Sequence, residues 1–248
     1  MNFLQKLEKA ISKNNSLLSV GLDNSSFEFN KKIIDQTYDL VCAYKPNSAF
    51  YEANGAEGIE QLKKTFIYIQ KKYPNIPIIF DAKRADIGNT NEGYVKFAFD
   101  YLNADAITLH PYLGKEALQP FLDQKEKGCF ILCKTSNAGA GEFQDIDNLY
   151  LTIAKNVSKS WNYNNNCGLV VGATYPKDLT RIRKIVGNMP ILVPGIGFQG
   201  GDLEKTLKAG LTKEKSGLII NSSRGIIFAE NPREEALKLR NEINKYRI

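Results

Sequence analysis

Short runs rich in Val, Ile and Leu recur along this chain, each followed by a polar or glycine-bearing segment. They span residues 17–21, 40–44, 76–80, 104–109, 129–132, 168–171, 191–193 and 217–220, eight in all. Strands that are apolar throughout, without polar alternation, must be covered on both faces, which is the condition of parallel strands joined by helices. Helical periodicity at 59–72, 92–102, 149–161, 176–186 and 234–246 supplies that cover. A count of eight favours closure into a (β/α)8 TIM barrel over an open α/β sheet. The 248 residues suit such a barrel as a single catalytic domain over 1–248.

Composition removes several classes of function. The N-terminal segment alternates apolar and charged residues at helical spacing and lacks the apolar core of a signal peptide. No stretch approaches the length of a membrane span. The four cysteines form no CxxC pair and there is one histidine, so neither a structural zinc site nor any other metal site is expected. Reduced thiols in a cytoplasmic enzyme fit this pattern. The net charge of +6 is spread over amphipathic segments and not gathered into a stripe, so nucleic acid is not an expected partner.

In a barrel the residues just after the strands gather at one mouth, where active sites sit. Here these include Asp23, Lys45, Asp81, Lys83, His110, Lys134, Ser136, Thr174, Gly195, Gly197 and the 222–224 segment. Ammonium groups beside a barrel interior cost several kcal/mol unless paired, so such lysines tend to be functional. Asp81 and Lys83 stand two apart at the end of the third strand, which places both on the mouth side and Arg84 away from it. Asp86 follows in the loop before a helix that Asn89, with Glu92, is positioned to cap. Two carboxylates flanking one ammonium hold it charged, as a proton donor must be. A lone histidine at a strand end more often ties a loop than acts as a base, so His110 is left outside the chemistry. Trp161 and the aromatics of 97–101 fall at helical spacing and read as core.

Gly195, Gly197 and Gly200 satisfy the dinucleotide pattern G-x-G-x-x-G, but they follow the seventh strand, whereas that fingerprint belongs to the first βα turn of its domain. The acidic partner about 20 residues on is also missing. In a barrel, the loops after strands seven and eight form a phosphate site from backbone N–H groups, and Gly195 and Gly197 suit so close an approach. Arg224 adds a charge-assisted clamp, and the 195–202 loop is expected to bring Gln199 across the site.

The segment DAKRADIGNT at 81–90 resembles the active-site segment of the orotidine 5'-monophosphate decarboxylases. Further matches follow in the family's order: GLD at 21–23, YKPN at 44–47, PGIGFQGGD at 194–202, and Arg224 after the eighth strand. The resemblance thus spans residues 21–224 and implies a cofactor-free carboxy-lyase that converts orotidine 5'-monophosphate to uridine 5'-monophosphate. It implies that Lys83 protonates carbon 6, with Lys45, Asp81 and Asp86 completing an array of alternating charge. By the same resemblance Asp23, Lys45 and Thr90 hold the ribose, Ser136 the pyrimidine edge, and Gln199 and Arg224 the phosphate. Asp86 and Thr90 are then expected to enter a partner subunit's site, making the enzyme a homodimer with shared active sites. The rival reading is a magnesium-dependent sugar-phosphate decarboxylase or aldolase of the same barrel superfamily. Those relatives resemble the chain at D-x-K-x-x-D but carry a glutamate as metal ligand where this sequence has Lys45, whose charge would repel the ion.

Overall fold

The computed structural model describes residues 1–196 and 201–247. Its strands are β1 (Leu18–Leu22), β2 (Ala43–Pro46), β3 (Ile79–Arg84), β4 (Ala106–Leu109), β5 (Gly128–Lys134), β6 (Cys167–Val171), β7 (Ile191–Val193) and β8 (Leu218–Ser222). All paired neighbours run parallel in the order β2-β1-β8-β7-β6-β5-β4-β3. The remaining seam closes through bridges between Tyr44 and Ile78 and between Asn47 and Asp81, with the Tyr44 N–H donating to Pro77 O at 3.0 Å. The sheet is therefore the expected barrel.

Helices α1 (Phe3–Asn14), α2 (Phe27–Thr37), α3 (Gly55–Lys72), α4 (Gly88–Val95), α5 (Gly114–Leu122), α6 (Leu149–Asn156), α7 (Pro176–Val186), α8 (Leu203–Gly210) and α9 (Pro232–Asn244) surround it. Both α4 and α6 continue into π-helical turns, at Lys96–Tyr101 and Val157–Trp161. The expected helix at 92–102 therefore starts four residues early, at Gly88, and the expected third strand starts three residues late, at Ile79. Pro77 accounts for the second difference, because it has no N–H to give a ladder; the Ile78 N–H turns instead to Asp105 Oδ2 at 2.8 Å.

The barrel interior is layered. Ala43, Ile79, Phe130, Val170, Leu192 and Ile219 belong to an apolar floor, and α1 closes it at the N-terminal ends of the strands with Phe3 and Leu7. Phe3 meets Phe130 edge-on at 5.6 Å between ring centroids. Gly168 makes room for that ring, since a Cβ there would lie 2.5 Å from Phe130 Cε1. Two residues further along β2 and β3, inward positions become Lys45 and Asp81, so the floor gives way to charge at the C-terminal mouth.

Candidate active site

A cavity of about 880 Å³ opens at that mouth, and Asp23, Lys45, Asp81, Lys83, Ser136, Gly195 and Arg224 all line it. Its centre is Asp81, only 7% exposed. Oδ2 accepts from Lys45 Nζ at 2.7 Å, while Oδ1 accepts from Lys83 Nζ at 2.7 Å and from Thr108 Oγ1 at 2.8 Å. Burial opposes ionisation of this carboxyl, but the two ammonium groups outweigh it and hold the group well below the usual carboxylate range. Burial likewise works against the Lys45 charge, and Asp81 with Asp23 overcomes it, leaving Lys45 above its ordinary value. Lys45 is buried, whereas the Lys83 side chain is 47% exposed and reaches the cavity. Asp23 lines the cavity, and its Oδ1 is buried without a hydrogen-bond partner among the described residues. Gly21, in the same GLD segment, allows Ser223 to approach: a Cβ there would lie 1.9 Å from Ser223 Oγ.

Asp81 and Lys83 meet, though not by simple strand alternation. The β3–β4 register shifts between Phe80 and Arg84, and Lys83 takes a left-handed φ of 47°. Arg84 turns outward, as expected, to pair with Glu52 and lie 5.4 Å from the Tyr94 ring. Asp86 and Thr90 do not line the cavity of their own chain. Among the described residues the ion pair of Lys83 is with Asp81, so one chain supplies one of the two carboxylates expected to flank the ammonium. The reason lies in Asn91, fully buried, whose Oδ1 accepts the Asp86 N–H at 3.0 Å and whose Nδ2 donates to Asp86 O and Ala117 O, each at 2.6 Å. These bonds draw the loop toward α5, and α4 starts at Gly88 without the side-chain cap expected from Asn89.

Gly195 has φ 94°, and its carbonyl accepts the Gly201 N–H at 3.1 Å. Gly201 admits this contact for want of a Cβ, which would lie 2.5 Å from Gly195 O. Ser222, Ser223, Arg224 and Gly225 line the same cavity. Gly197 and Gln199 lie outside the described residues. His110 does not line the cavity, and its N–H donates to Arg84 O at 3.2 Å. Lys134 is fully buried against Asp145 and 4.6 Å from the Tyr175 ring, also away from the cavity lining. The cysteines are free and buried, and burial pushes the Cys42 and Cys167 thiols up to about 12. Among the described residues no cluster of His, Cys, Asp or Glu has the makings of a metal site, and no helix is long and apolar enough to cross a membrane.

Sequence reasoning missed Thr108, a hydroxyl between the apolar Ile107 and Leu109 of the run 104–109. It also missed Thr135 and Gln144, both lining the cavity, where Gln144 accepts the Thr135 N–H at 2.8 Å and donates to Thr135 Oγ1 at 2.7 Å. Nothing local in the sequence marks that pair, because nine residues separate its members.

The profile of the orotidine 5'-phosphate decarboxylase / HUMPS family matches residues 16–239. The chain belongs to this family. A Cellvibrio japonicus orotidine 5'-phosphate decarboxylase is 46% identical with 98% of each chain covered, and one from Ralstonia nicotianae is 44% identical over the whole of both. The solved structure of Leishmania donovani OMP decarboxylase superposes with a TM-score of 0.93 at 42% identity, covering 100% of this chain and 99% of that one. Barrel, charge cluster and glycine-bearing loop thus occur in a chain that aligns end to end with family members.

Proposed function

We propose that this barrel mouth decarboxylates orotidine 5'-monophosphate to uridine 5'-monophosphate, the last step of pyrimidine nucleotide synthesis de novo, with Lys83 as the proton donor. The observation that carries the reading is the buried Asp81 carboxylate held between Lys45 and Lys83 at 2.7 Å each. Breaking the bond from carbon 6 to the carboxylate carbon releases carbon dioxide and leaves an electron pair in the ring plane, where the π system does not absorb it. A fixed positive charge must meet that pair as it develops. Lys83 Nζ, oriented by Asp81, stabilises it and then delivers a proton to carbon 6. Its 47% exposure lets water restore the proton afterwards.

Asp23 and Lys45, which both line the cavity, hold the ribose in this reading, the Asp23 carboxylate accepting from a hydroxyl. Ser136 reads the pyrimidine edge. Gly195, Gly197, Gln199 and Arg224 take the phosphate. Asp86 and Thr90, which stand outside their own chain's cavity, complete the site of a second subunit in a homodimer with shared sites. The chain acts as one catalytic domain in the cytoplasm. Against the magnesium-dependent rival stands Lys45, whose ammonium, 2.7 Å from Asp81 Oδ2, would repel a divalent cation. Carbon dioxide release from orotidine 5'-monophosphate by the purified chain in excess chelator tests the reading. Undiminished turnover is expected, and turnover lost with chelator and restored by magnesium would overturn it.

A further inference from the structure

Between the Phe80–Ile107 and Arg84–Leu109 pairs of the β3–β4 ladder, three residues of β3 (Asp81, Ala82 and Lys83) face the single residue Thr108 of β4. The surplus backbone bulges, and Lys83 adopts its φ of 47°, a left-handed region that a residue with a Cβ rarely occupies. A bulged residue loses its place in the ladder. Here the Lys83 N–H donates to Thr108 Oγ1 at 3.0 Å. Thr108 is 1% exposed, and its single hydroxyl proton has a fixed destination, because Asp81 is an acceptor only and lies 2.8 Å away. The result is a closed ring: Lys83 N–H to Thr108 Oγ1, Thr108 O–H to Asp81 Oδ1, and Lys83 Nζ back to that same Oδ1 at 2.7 Å.

We propose that Thr108 is a positioning residue that fixes the Lys83 ammonium by holding both the backbone that carries it and the carboxylate against which it rests. Its consequence for turnover rests on the reading of Lys83 as the proton donor; its consequence for the Lys83 backbone does not. Thr108→Val keeps the shape and removes the hydroxyl, orphaning the Lys83 N–H and one face of Asp81. Thr108→Ser keeps the hydroxyl.

Two measurements on the full-length protein test this. By NMR hydrogen exchange, the Lys83 amide is expected to be protected in the wild type and in Thr108→Ser, and to exchange rapidly in Thr108→Val. In steady-state decarboxylation, Thr108→Val is expected to lower kcat by about 100-fold, the cost of misplacing a reacting group by about 1 Å, with uridine 5'-monophosphate affinity held within about threefold. Thr108→Ser is expected to keep kcat within about threefold of wild type. If the valine variant does not fold, Thr108→Ala against Thr108→Ser gives the same comparison, since those two differ only in the hydroxyl. The proposal is overturned by an unchanged Lys83 amide in Thr108→Val, or by kcat within about threefold of wild type. It is equally overturned by a loss of product affinity that matches the loss of kcat, or by a serine variant as impaired as the variant without a hydroxyl, because those are signs of packing. A wild type that releases no carbon dioxide refutes the decarboxylase reading, and the amide measurement then decides the positioning role alone.

Discussion

Replacing Asp81 by Asn removes the one charge that both central ammonium groups share, and the two lysines should report the loss differently. Lys45 is 4% exposed, so its charge without Asp81 becomes a buried and poorly compensated ion, a situation that costs about 3–5 kcal/mol. Asp23 still attracts Lys45, and the Asn side chain still accepts one hydrogen bond, which places the expected cost at the lower end, about 3 kcal/mol. In a chain of this length that corresponds to a fall in Tm of roughly 6–12 °C. Lys83→Ala is the matching control. It leaves Asp81 bonded to Lys45 and Thr108 and removes an ammonium already half in water, so its effect on stability should stay within about 1 kcal/mol. Thermal unfolding by circular dichroism, with a urea titration to exclude a change in cooperativity, reads both variants. A Tm for Asp81→Asn within about 2 °C of wild type, or an equal fall for Lys83→Ala, would refute the assignment of Asp81 as the structural and electrostatic keystone.

The same carboxylate sets an acid limit. Because its folded-state pKa is depressed, its contribution to stability is present above the ordinary carboxylate value and is lost as pH falls through the folded one, so wild-type stability should drop below about pH 4. Urea midpoints over that range should show a slope shallower in Asp81→Asn by up to one proton, about 1.4 kcal/mol per pH unit, and identical slopes would count against the shift. Arg224→Ala should harm substrates bearing phosphate far more than the bare nucleoside, and equal losses in kcat/KM would rule out a phosphate clamp. Mixing inactive Lys83→Ala and Asp86→Ala chains through brief denaturation and refolding should restore about a quarter of all sites if each site draws Asp86 from a partner. Activity that stays at the sum of the parents, with exchange confirmed by mass spectrometry, would show that Asp86 acts within its own subunit.

The barrel was legible because burial on both faces writes strands as unbroken apolar runs, and even the short β7, Ile191–Val193, stands out between a glycine-rich loop and α7. Strand ends were less so. Pro77 delays β3, and the cause shows only once Asp105 is seen to take the orphaned Ile78 N–H. Lys45, Asp81 and Lys83 were legible as charges at strand ends, where a barrel concentrates function. Their geometry was not, because the D-x-K spacing suggests plain alternation, whereas the chain bulges and puts Lys83 at positive φ. Thr108 reaches that site from the neighbouring strand, and pairings across strands leave no mark in local spacing. Nothing in local spacing marks Asn91, yet its three bonds tie the loop that carries Asp86 to α5.

The central claim is that the Lys83 ammonium, set by Asp81, supplies the charge and the proton for decarboxylation. Single-turnover release of carbon dioxide from orotidine 5'-monophosphate by Lys83→Ala, alongside its affinity for uridine 5'-monophosphate, tests this most directly. Release should fall by many orders of magnitude while the product still binds as it does to the wild type. A variant that keeps more than about a tenth of wild-type turnover, a loss below about 1.4 kcal/mol in transition-state stabilisation, would contradict it.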